Sequence, residues 1–79
     1  MLEDRMLRYR VMELHRELVG RGEFLEARMV LRLLQNKVIY LGLGDMDYSL
    51  EIKLEKLGCL VTYQGRHYTA HVHLRAARR

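Results

Sequence analysis

Residues 48–57 read YSLEIKLEKL, and the architecture of the second half of the chain turns on whether they form a helix or a strand. Leu50, Ile52 and Leu54 alternate with Glu51, Lys53 and Glu55, which is the period of a half-buried strand. Leu50, Leu54 and Leu57 are also spaced four and three, which is one face of a helix. Asp47 can cap such a helix at its start and Gly58 at its end. Glu51 and Glu55 count against it, because like charges at i,i+4 repel. Both readings stay open at this point. Either one leaves an α+β protein, because the segments on both sides are less ambiguous.

Upstream, residues 4–19 predict a helix. Leu7, Val11, Leu14 and Leu18 form one apolar stripe, and Gly20 sits where a left-handed cap belongs. Arg5, Arg8 and Arg16 share one flank of this helix, and Glu13 and Glu17 share the other. Gly20-Arg21-Gly22 is a short turn. Residues 23–36 predict a second helix with Gly22 as N-cap and a face of Phe24, Ala27, Val30, Leu31 and Leu34. Arg28, Arg32 and Gln35 line the opposite side. The short link predicts an antiparallel helical hairpin over 1–36. Residues 37–43, KVIYLGL, are β-branched and aromatic and predict a strand. Residues 44–47, GDMD, predict a turn closed by aspartate side chains.

Downstream, Gln64-Gly65 marks a turn between Cys59–Tyr63 and Arg66–Arg75. A two-residue loop pairs Val61 with Tyr68 and Cys59 with Ala70, and that apolar face continues through Val72 and Leu74. Thr62, His67, Thr69, His71 and His73 fall on the other face. The expected protein is one α+β domain over 1–79. An N-terminal antiparallel helical hairpin packs on a small antiparallel sheet within residues 37–75, ending in a β-hairpin, and 76–79 form a basic tail.

The 79 residues are 49% hydrophobic, ample for one small core, and this surplus admits a homodimer. One cysteine excludes an internal disulfide, no apolar run is long enough to span a membrane, and the charged N-terminus is unlike a signal peptide. These features point to a cytoplasmic protein. The formal net charge is +4 and is unevenly placed. Residues 1–36 hold seven Arg against six acids, 37–57 hold three Lys against four acids, and 58–79 hold four Arg and no acid. A basic terminal segment suits an anionic partner.

Catalytic and metal signals are thin. Asp45 and Asp47 lack the further acidic ligands that a hard cation needs. His67, His71 and His73 share a face, and Cys59 falls on the other, so no convergent zinc set forms. Cys59 lacks a sequence-evident base and reads as a buried structural residue. Gly42 and Gly44 do not make a phosphate loop. No enzyme activity and no cofactor are expected.

Residues 54–74, LEKLGCLVTYQGRHYTAHVHL, resemble the end of the recognition helix and the wing of winged helix-turn-helix DNA-binding domains. Leu54, Leu57, Gly58, Leu60, Val61, Gly65 and Tyr68 carry the likeness, which covers about a quarter of the chain. The resemblance implies duplex DNA as partner and a role in transcription regulation. It places residues 47–57 in the major groove and Arg66 and His67 at the wing tip, near phosphates.

Two functional expectations follow. The first is a small nucleic-acid-binding regulator, with Arg66, His67, Arg75, Arg78 and Arg79 as phosphate contacts and Arg28 and Arg32 as a second patch. The second is a non-enzymatic protein-binding adaptor or inhibitor, of the accessory kind found in phages and mobile elements. It draws on Met1, Leu2, Met6, Tyr9 and Met12, which lie off the main stripe of the first helix.

Overall fold

A computed structural model describes residues 3–42, 44–65 and 69–77. The chain is an α+β fold: α1 (Asp4–Gly20), α2 (Phe24–Asn36), β1 (Val38–Leu41), α3 (Asp45–Leu57), β2 (Cys59–Gln64) and β3 (Thr69–Ala76). The antiparallel sheet has the order β1-β3-β2, so the last strand lies in the middle. No helix among the described residues is long and apolar enough to cross a membrane.

The ambiguous segment is a helix. Leu50 and Leu54 are fully buried in it, and Leu57 packs against the core. Burying each such leucine stabilises by about 1.5–3 kcal/mol. Gly58 ends the helix at φ 111, a conformation that a Cβ would oppose. The N-cap is Gly44, not Asp47. Asp47 lies within the first turn, and its Oδ2 accepts the Gly42 N–H at 2.8 Å. The expected turn over 44–47 is therefore mostly helix, and the expected strand over 37–43 shrinks to Val38–Leu41.

The helical hairpin forms with two local corrections. Helix α1 runs through Gly20, and the left-handed residue of the turn is Gly22, at φ 76. Helix α2 is capped by Glu23 and buries Glu26, Ala27, Val30 and Leu33. Phe24 is 65% exposed and Leu31 is also exposed, so the helix is turned away from the expected face. The stripe that faces inward is 26-30-33, at spacings of four and three. It can include a glutamate because the Lys53 Nζ of α3 donates to Glu26 Oε2 at 2.9 Å. Lys37, at φ 70, is a left-handed cap that switches the chain from α2 into β1 in one residue.

The hairpin register also differs from the expected one. Val61 pairs with Val72 and Gln64 with Thr69. The shift over Leu60–Gln64 is four residues, an even number, so the described paired side chains keep their expected faces, while His67 and Tyr68 lie outside the described residues. Ile39, Leu41, Cys59, Ala70 and Val72 are buried in one core with the helices. Their alternates Val38, Leu60, Thr62, His71 and His73 are half-buried, and Tyr40 is exposed. The helices thus cover one face of the sheet and leave the other open. A bulge between the Cys59–Ala76 and Leu60–His73 pairs breaks the ladder, so β3 runs through residue 76, into the expected tail.

Candidate functional site

Four of the described cationic side chains converge at one end of the sheet. Arg5, Arg8, Lys37, His73, Leu74, Arg75 and Asp4 line an open cavity of about 490 Å³. Three elements build it. Arg5 and Arg8 stand three residues apart on α1, hence on one face. The Arg8 guanidinium reaches across the helical hairpin and donates to the Leu34 carbonyl at 3.3 Å. Lys37 is placed by its left-handed backbone at the α2–β1 junction. Arg75 comes from the β3 bulge. Consecutive residues of a regular strand face opposite ways. The bulge is the irregularity that lets His73, Leu74 and Arg75 border one cavity, and the Leu74 N–H donates to the Lys37 carbonyl at 2.8 Å.

Asp4 is the lone carboxylate in this lining. Its Oδ1 accepts the Ala76 N–H at 2.9 Å, tying the start of α1 to the end of β3. Four cationic side chains therefore face one carboxylate that already has a backbone partner. Such an excess suits a ligand with more than one negative charge, above all phosphate.

His73 links the cavity to the open face of the sheet. Its Nε2 lies 3.1 Å from Thr62 Oγ1. One pair further along, His71 stands between Thr62 and Tyr40. The Tyr40 and His71 rings meet edge to face, with centroids 4.6 Å apart and planes at 78°. On the far side of β1, Arg32, Asn36 and Tyr40 border a second open cleft of about 390 Å³.

Of the residues expected from sequence to contact phosphate, Arg75 and Arg32 border these two clefts, while Arg28 is exposed on α2 one turn from Arg32. Arg66, His67, Arg78 and Arg79 lie outside the described residues. Sequence reasoning missed Arg5, Arg8 and Lys37 as partners of Arg75. The Arg5/Arg8 spacing was visible, but the cavity joins residues some seventy positions apart, and no local pattern carries that.

Two other features bear on chemistry. Cys59 is buried, and burial pushes its thiol up to about 12, which withholds the reactive thiolate. Among the described residues, no three His, Cys, Asp or Glu side chains converge as a metal would need. Helix α3 precedes the hairpin, as the winged-helix likeness implies, and follows β1 with no helix between. Its exposed side includes Asp45, Tyr48, Ser49, Glu55 and Lys56, while Lys53 is engaged by Glu26. No protein-family model, no curated protein and no solved structure matches this chain.

Proposed function

We propose that the protein is a small nucleic-acid-binding regulator that grips the phosphate backbone at the cavity of Arg5, Arg8, Lys37 and Arg75. The observation that carries this reading is the convergence of four cationic side chains from α1, the α2–β1 junction and β3 on one open cavity. Helix α3 is a poorer surface for phosphate, because its exposed side mixes acids with a single free lysine. The winged-helix likeness therefore supports the ligand class, and the charge distribution favours the cavity over the groove-entering helix.

Anisotropy of labelled oligonucleotides at 50 and 200 mM salt tests the proposal. Backbone binding weakens steeply over that interval as counterions return. Changing Arg5, Arg8 and Arg75 together to Ala is expected to flatten the salt slope by roughly one unit per lost contact. Asp4→Asn keeps the oxygen that accepts the Ala76 N–H and removes its charge, so it is expected to tighten binding. An unchanged slope in the triple variant would remove the cavity from the account.

A second reading, a protein-binding adaptor, is favoured by a separate feature. Met12, Val19, Leu31 and Leu34 line an apolar groove of about 390 Å³ between α1 and α2, away from the sheet. Light scattering over a range of concentrations tests its simplest form, a homodimer. A monomer at every concentration would leave the groove without a second copy as occupant.

A further inference from the structure

We infer that the open face of the sheet is a stacking platform for single-stranded nucleic acid, with a base on Tyr40 and adjoining phosphates in the cationic cavity. The inference rests on the nucleic-acid reading above and adds the class of ligand and the way its bases are held.

Tyr40 is 62% exposed on the uncovered face, with His71 beside it. A perpendicular ring contact uses at most one face of Tyr40, and an exposure of 62% leaves ring surface for a planar ligand. In a duplex the bases are already stacked on each other. An unpaired base is the nucleic-acid group that can lie flat on a tyrosine.

Charge selects the occupant of this face. Val38 pairs with His73, and Tyr40 pairs with His71. Tyr40 is thus two residues, about 7 Å along the strand, from the row that borders the cavity. Lys37 and Arg75 lie on that side, and Arg32 shares the second cleft with Tyr40 on the other. A flexible anionic strand crossing the face meets a cation before and after the aromatic ring. Thr62 and His71 lie beside it in the same row and offer hydrogen-bonding groups to base edges. An acidic peptide would use the cations but leave the exposed ring without a planar partner.

The test compares a labelled ten-residue oligothymidylate, the matching oligouridylate and a hairpin duplex, against the whole chain and its Tyr40→Ala and Tyr40→Phe variants. The single strands are expected to bind tighter than the duplex. Tyr40→Ala is expected to weaken single-strand binding by about 5- to 150-fold, with the salt slope unchanged because the phosphate contacts remain. Tyr40→Phe is expected to retain binding. Exposure of Tyr40 spares the core, and a thermal melt of each variant checks that the fold persists. Equal or tighter duplex binding, or a neutral Tyr40→Ala, would overturn the platform and leave the cavity reading standing. No binding of any probe at 50 mM salt would overturn both.

Discussion

Cys59 and Tyr63 give the folded protein a defined response to alkali. Burial raises the Cys59 thiol from 9.0 to about 12. Tyr63 rises from 10.0 to about 12, first because its hydroxyl donates to Glu51 Oε2 at 2.7 Å, then through burial and nearby negative charge. Both groups hold their protons more tightly when folded, so above about pH 9 the unfolded chain binds fewer protons. The stabilisation is complete below the unfolded values and is lost as pH rises through the folded ones. The urea midpoint is therefore expected to fall steadily from pH 9 toward 12, and a flat profile would contradict these two environments. The burial of Cys59 was readable in the sequence from its place in an apolar run. The left-handed backbone of Lys37 was not, because the conformation falls on the lysine and not on the neighbouring Asn36, the residue type that favours it.

At the scale of elements, α3 shows why a local argument against a helix can fail. The Glu51–Glu55 repulsion applies to two carboxylates side by side in water. In the fold, Glu51 is 8% exposed and takes the Tyr63 hydroxyl, whereas Glu55 stays in solvent. The sequence could not reveal this, because the partner lies in β2, twelve residues away. Tyr63→Phe leaves that buried carboxylate without its donor. Tyr63 is itself half exposed, so water can take over the bond, and the change is expected to cost about 1 kcal/mol, measurable as a lower urea midpoint at neutral pH. The turned face of α2 has the same origin: Glu26 goes inward because Lys53 reaches it from α3. Apolar periodicity placed α1, α2 and the strands within a few residues but left α3 open between helix and strand, and polar pairs between elements decided which faces turned in. The hairpin register was mislaid by an even shift, because Gln64-Gly65 marks the turn without fixing its length.

The whole molecule has two dissimilar sides. Helices seal one face of the sheet, and the other presents Tyr40, His71 and His73 beside a cationic cavity. The start of α1 meets the end of β3 at that cavity through the Asp4–Ala76 bond, so Arg5, Arg8 and Arg75 share one surface. Charge counting along the sequence located the basic segment but not this meeting, which depends on β3 lying in the centre of the sheet. The most direct test is a titration of the ¹⁵N-labelled protein with oligothymidylate, followed by amide chemical shifts. The shifts are expected to centre on Arg5, Arg8, residues 37–40 and residues 71–75, with α3 and the Met12/Val19/Leu31 groove undisturbed. Shifts centred on that groove or on α3, or none at millimolar oligonucleotide, would contradict this expectation.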